Sequence, residues 1–150
     1  RTPPFPNHEF PLLFPSLFVG VDSKVSICKQ TASMEKETLF IAFSTQKGGA
    51  GKTTLTVLVA SYLHYVKGMN VAVVDCDYPQ HSIAEMRKRD LKTVMEDEHY
   101  KLMAYRQLQR IRKKAYPIAE STAEDAVAKA DELLEKMPET DIVFFDLPAR

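Results

Sequence analysis

The stretch STQKGGAGKTTLT, Ser44 to Thr56, carries three glycines and two lysines between two apolar runs. Before and overlapping it, TLFIAFS, Thr38 to Ser44, is a short run of aromatic and branched residues, the composition of a strand buried on both faces. After it, Leu55, Leu58, Val59, Tyr62, Leu63 and Val66 recur at helical spacing on one face. Gly68 then stands where a helix C-terminus takes a left-handed residue, so the pattern predicts a helix from about Lys52. NVAVVD, Asn70 to Asp75, reads as a second buried strand. Strand, glycine loop, helix and strand make a right-handed βαβ crossover in a parallel sheet, with the loop at a strand's carboxyl end.

A glycine-rich turn in that position leaves several backbone N–H groups facing one concavity, where the helix dipole adds positive potential. Such a concavity suits phosphate. Gly48, Gly49 and Gly51 permit positive φ and close backbone approach around Ala50. Lys52 can reach β and γ phosphates, Thr53 can offer its hydroxyl to Mg²⁺, and Thr54 continues the first helical turn. The loop is nearly GxxxxGK[ST], but Gln46 occupies the position of the first glycine. Lys47 stands one residue further on, where an ordinary phosphate loop requires no charge.

Further along, Ser82 to Lys114 is strongly charged and helical in character, with Leu102, Tyr105, Leu108 and Ile111 spaced for one apolar face. AYPIA, Ala115 to Ala119, reads as a brief strand or an extended link, because Pro117 disfavours helix at the residue before it. Ser121 with Glu124 offers a capping box, and Ala123, Val127, Ala130, Leu134 and Met137 follow on one face until Pro138. DIVFFD, Asp141 to Asp146, is another apolar strand that ends in a carboxylate. Asp75 and Asp77 follow the second strand and Asp146 ends the last, which in an open α/β sheet is the side where ligands bind. One such carboxylate can hold water ligands of a metal and another can orient an attacking water.

With 150 residues, the chain has room for one domain with a real core. Twenty basic and twenty acidic residues cancel, so no global field drives it onto nucleic acid or an anionic membrane. Cys28 and Cys76 show neither CxxC nor Cys/His spacing, which argues against a disulfide framework or structural zinc and fits a reducing cytoplasm. The apolar run PLLFPSLFVGV is too short for a membrane span and is broken by Pro15. Residues 1–33 hold five of the nine prolines and no periodicity, and read as a disordered or non-native leader before a domain over 34–150. Arg106, Arg110, Arg112, Lys113 and Lys114 read as a solvated helix face, because acidic residues surround them and aromatic interleaving is sparse. Cys76 reads as a small buried residue, His64 as a packed or partly exposed imidazole, and His81 follows the turn after Asp77.

QKGGAGKTT resembles the deviant Walker A motif of the ParA/MinD group of P-loop ATPases, whose additional lysine corresponds to Lys47. VAVVDCDYPQHS is similar to the following ParA segment of the form DxDPQ, with Tyr78 inserted before Pro79, and DIVFFDLP resembles the Walker B strand. The wording around both loops is most like that of the ParA-like TraA proteins of Bacteroides conjugative transposons. The resemblance runs from Thr38 to Pro148 and implies a P-loop NTPase fold with a parallel, doubly wound sheet that continues past Arg150. It implies an ATPase that uses ATP and Mg²⁺ and pairs as a homodimer around nucleotide. Lys47 would then cross to the partner's phosphates and Lys52 would bind its own. Asp77 would position the attacking water, and Asp75 and Asp146 would act on the metal mainly through water. Nonspecific DNA and a ParB-like or conjugation partner would engage chain beyond Arg150, in DNA partitioning or mobile-element maintenance. The inserted Tyr78 leaves the aim of Asp77 open.

Two other readings use the same loop. One is a biosynthetic or metal-handling P-loop ATPase, whose substrate residues would lie beyond Arg150. The other is a nucleotide-binding module without turnover, because a parallel sheet lacking strands exposes apolar edges.

Overall fold

Residues 37–43 and 51–148 are described by a computed structural model. Four strands, β1 (Leu39–Ala42), β2 (Val71–Asp75), β3 (Ile118–Glu120) and β4 (Ile142–Asp146), form one sheet in the order β1-β4-β2-β3. All three pairings are parallel. Helices α1 (Lys52–Ser61), α2 (Ser82–Glu96), α3 (Glu98–Ile111) and α4 (Ala126–Lys136) supply the connections. The expected α/β architecture is therefore present, and AYPIA resolves into an extended link that enters the short strand β3. Among the described residues no helix is long and apolar enough to cross a membrane.

Strand periodicity divides the core into two layers. Val71, Val73, Ile142 and Phe144 point to one face, where Val57 and Ala60 of α1, Ile83 of α2 and Tyr116 cover them. Ala72, Val74, Val143 and Phe145 point to the other, beneath Ala126, Ala130 and Leu133 of α4. Helices on both faces explain why β2 and β4 are buried at every position and read as continuous apolar runs rather than alternating ones. At the sheet edge Phe40 meets Phe145 edge-on at 5.4 Å, while Phe43 stacks on Phe144 at 6.1 Å.

The helices turn differently from the hydropathy pattern. In α1 and the π-helical turn Tyr62–Val66 that extends it, the buried residues are Thr56, Val57, Ala60, Ser61, His64 and Tyr65. Leu55 and Val66 of the expected stripe are each 43% exposed. Small side chains let the helix approach the sheet, and their polar atoms are satisfied locally. Thr56 Oγ1 donates to the Lys52 carbonyl at 2.9 Å, and Ser61 Oγ shares a 3.1 Å bond with the Tyr116 hydroxyl. Gly68 ends this unit at φ 73°, as its position in the sequence requires.

In α3 the expected apolar face is turned outward at Leu102, Tyr105 and Leu108, and only Ile111 of that set packs against the core. The capping box at Ser121 and Glu124 does not form. The Ser121 N–H instead extends the sheet by donating to the Asp75 carbonyl at 2.9 Å, and Thr122 takes over the turn by accepting from the Asp125 N–H. Helix α4 accordingly starts at Ala126 and buries Ala126, Ala130 and Leu133, leaving Val127 exposed.

His64 ties three elements together. Its Nδ1 accepts the Val71 N–H at 3.4 Å, so Nε2 carries the proton and donates to the Lys114 carbonyl at 2.9 Å. Its ring also lies edge-on to Tyr65 and Tyr116. Burial lowers the imidazole pKa below 6.5, against the opposing pull of the Lys114 carbonyl.

Two measurements follow from this packing. Ala60→Leu should destabilise the fold by about 1–3 kcal/mol in urea titration, because the site is closed, whereas Leu55→Ala should change stability by less than about 1 kcal/mol. The reverse ranking would restore the face predicted from sequence. For His64, the unfolded ring takes up a proton near pH 6.5 that the folded ring refuses, so its contribution to stability is present above that pH and lost as pH falls through it. NMR of the ring nitrogens should show that the neutral Nε2–H tautomer still predominates at pH 6.5, the midpoint of a free imidazole, and a folded-state pKa at or above 6.5 would refute the assignment.

Candidate functional site

The site follows from strand parity. Asp75 and Asp146 end adjacent strands in register, and both lie on the face covered by α1 and α2. The Cys76 N–H donates to the Asp146 carbonyl at 2.9 Å, which locks the two strand ends together. Both carboxylates are buried, at 0% and 1% exposure, so each requires partners.

Asp146 finds its partner on α1. The helix begins at Lys52 behind Gly51, whose φ of 77° is a backbone state that favours glycine. That turn places Thr53 so that its Oγ1 donates to Asp146 Oδ2 at 2.8 Å. Burial raises the Asp146 pKa to about 6; the Thr53 bond opposes this, the charges of Asp75 and Asp77 add to it, and the Lys52 ammonium opposes it. Lys52 and the carboxylates of Asp75 and Asp77 thus lie near Asp146 at the carboxyl end of the sheet. The same burial, with Asp75 and Asp146 nearby, pushes the Cys76 thiol up to about 11 and leaves it a protonated, inert group.

Asp75 is engaged differently. Its Oδ2 accepts the Ile83 and Ala84 N–H groups at 2.9 and 3.0 Å, and its Oδ1 accepts the Asp77 N–H at 3.3 Å. It therefore acts as a distant cap for the first turn of α2, whose own N-cap residue His81 provides no side-chain bond. The His81 ring is turned instead onto the Asp75 carbonyl through Nδ1 at 3.2 Å. Asp77 follows at the rim, and Ser82 Oγ donates to its Oδ2 at 3.2 Å.

Of the residues singled out from sequence, Lys52, Thr53, Asp75, Asp77 and Asp146 are brought to one place. Gly51 opens the helix, and Thr54 is exposed in its first turn. Lys47, Gly48, Gly49 and Ala50 lie outside the described residues, as does the stretch read as a leader. Sequence reasoning passed over Ser82 and the backbone amides of Ile83 and Ala84. A cap seven residues before its helix lies outside the short spacings by which caps are recognised.

The donor set fits magnesium shared with a phosphate group: a hydroxyl and a carboxylate, both hard oxygen donors, 2.8 Å apart beside a lysine. Thr53 would be a direct ligand and Asp146 would hold a water on the ion. The oxygens of Asp75 already serve three backbone donors.

Asp75→Ala should lower stability by about 2–4 kcal/mol in chemical denaturation, because it strips three N–H groups of their acceptor. Asp75→Asn keeps one acceptor oxygen and should lose roughly half of that. A loss below about 0.5 kcal/mol for the alanine variant would show that water replaces the carboxylate without cost.

The family model for ATPase MipZ matches residues 39–150. The chain is also similar to the uncharacterised protein BBD21 of Borreliella burgdorferi, with 48% identity over 58 residues, covering 35% of this chain and 23% of that protein. The match thus spans about a quarter of the length of that curated relative. No solved structure matches the chain. Matched over three-quarters of its length, from the first strand through the loop, the aspartate turn and the last strand, the chain belongs to the MipZ family of ParA/MinD-type ATPases.

Proposed function

We propose that the protein binds ATP with Mg²⁺ at the carboxyl end of the sheet, pairs with a second copy around the nucleotide, and hydrolyses it slowly as a switch. The observation that carries this reading is the Thr53–Asp146 bond of 2.8 Å, which joins the start of the loop's helix to the end of β4 beside Lys52. Phosphoryl transfer asks the protein mainly for positioning and charge neutralisation. Lys52 holds the β and γ phosphates of its own subunit, and Gly48, Gly49, Ala50, Gly51, Thr53 and Thr54 bind the same nucleotide. Magnesium, held by Thr53 directly and by Asp146 through water, would add the charge of a second cation to the neutralisation of the phosphates. Asp77 accepts a hydrogen bond from the attacking water and directs it at the γ phosphorus, and the bond to the β–γ bridging oxygen breaks. Lys47 crosses to the partner's phosphates and neutralises charge that develops on the transferred group. Asp75 serves the same end indirectly, by fixing the turn that carries Asp77.

The biological setting that fits this switch is DNA partitioning, or the maintenance and conjugative transfer of a mobile element, as the likeness to ParA-like transposon proteins suggests. Nonspecific DNA and a ParB-like or conjugation partner would then be engaged by the nucleotide-bound dimer.

The test is nucleotide binding, sedimentation and turnover on the full-length protein. ATP with Mg²⁺ should give a dimer and ADP a monomer. Lys52→Ala should lose nucleotide binding, whereas Lys47→Ala should keep its own-site binding and lose dimer and turnover by about a hundredfold or more. Wild-type dimerisation and hydrolysis by Lys47→Ala would overturn the cross-subunit role.

A further inference from the structure

Asp77 sits on a turn held from both sides. Its N–H is bound by Asp75 Oδ1 at 3.3 Å, and its carbonyl accepts the His81 N–H at 2.8 Å. Those bonds fix the backbone but leave the carboxylate free to rotate. Ser82 removes that freedom. As the first residue of α2, it sits where a hydroxyl ordinarily serves its own helix terminus. Here that hydroxyl reaches back five residues to Asp77 Oδ2 at 3.2 Å. The helix does not need the hydroxyl as a cap, because Asp75 already accepts the Ile83 and Ala84 N–H groups.

We infer that Ser82 is a positioning residue: its hydroxyl fixes the rotamer of the Asp77 carboxylate, so that the second oxygen, Oδ1, is presented in one direction to the attacking water. The inference rests on the proposed role of Asp77. A carboxylate that must hold a water in line with a breaking bond loses rate steeply when its direction varies, while nucleotide binding through Lys52 and the loop is untouched. Ser82 therefore acts on the chemical step and not on affinity.

The experiment compares Ser82→Ala, Ser82→Thr and Asp77→Ala in the full-length protein, reading kcat, KM, binding of a fluorescent ATP analogue and the thermal midpoint. Ser82→Ala should lower kcat by about ten- to a hundredfold, with KM and binding within about twofold of wild type. Ser82→Thr, which keeps the hydroxyl, should restore most of kcat. Asp77→Ala should bind nucleotide and fail to turn it over. If Asp77→Ala is inactive but binds, and Ser82→Ala turns over like wild type, the positioning role is overturned and the reading of Asp77 stands. If Ser82→Ala loses binding in proportion to kcat, or threonine fails to restore it, the residue is merely structural and the inference fails. Wild-type turnover by Asp77→Ala would remove the role of Asp77 itself.

Discussion

Two buried carboxylates in register, Asp75 and Asp146, are the constraint around which this end of the molecule is built. Taking an ionised carboxylate out of water costs several kcal/mol unless donors replace the lost hydration. Parallel pairing aligns the two residues at the ends of neighbouring strands, so each raises the cost of the other. The fold offsets that cost in two unlike ways. Asp75 receives three backbone N–H groups and becomes part of the scaffold. Among the described residues Asp146 receives one hydroxyl, from Thr53, and burial leaves its pKa raised to about 6. The asymmetry divides the pair: one carboxylate holds the turn, and the other is the one to which the metal role is proposed above.

The solution at Asp75 also determines how α2 begins. Because its amides are capped from β2, His81 is released from capping and adopts φ 43°, with its ring returned to the Asp75 carbonyl. That same carbonyl accepts the Ser121 N–H, so β3 is tied to the turn as well. Strand end, turn, helix start and edge strand thus share one residue as their anchor.

The sequence was most legible where burial is complete. β2 and β4 are covered on both faces, so their apolar runs mark them directly, and the parity that aims Asp75 and Asp146 follows from strand geometry alone. Gly68 and the start of α1 at Lys52 were legible because glycine and the loop chemistry specify the backbone. Helix faces were not. In α1 and its π-helical extension the inner face carries Thr56, Ser61 and His64, whose polar atoms are satisfied by bonds that hydropathy cannot register. In α3 the helix rests on α2 without burying any residue, so its apolar spacing carried no direction. The bond from Ser82 to Asp77 was hidden for another reason: serine at the start of a helix reads as serving its own helix terminus, and only the capping by Asp75 frees it for a different partner.

The aspartate turn is held at both ends, with Tyr78 standing between the fixed points. Tyr78 lengthens the segment between Asp77 and Pro79 relative to the DxDPQ form, which on sequence grounds puts the direction of Asp77 in question. In the structure Tyr78 is turned outward, 65% exposed, with its ring edge-on to His81 at 5.8 Å. The bonds that hold Asp77 bracket the insertion: Asp75 grips its N–H before Tyr78, while His81 and Ser82 grip its carbonyl and carboxylate after it. Tyr78 therefore occupies the exposed arc of the turn. Where Asp77 stands depends on the distance between β2 and the start of α2, and Asp75, the last residue of β2, sets that distance by accepting the Ile83 and Ala84 N–H groups.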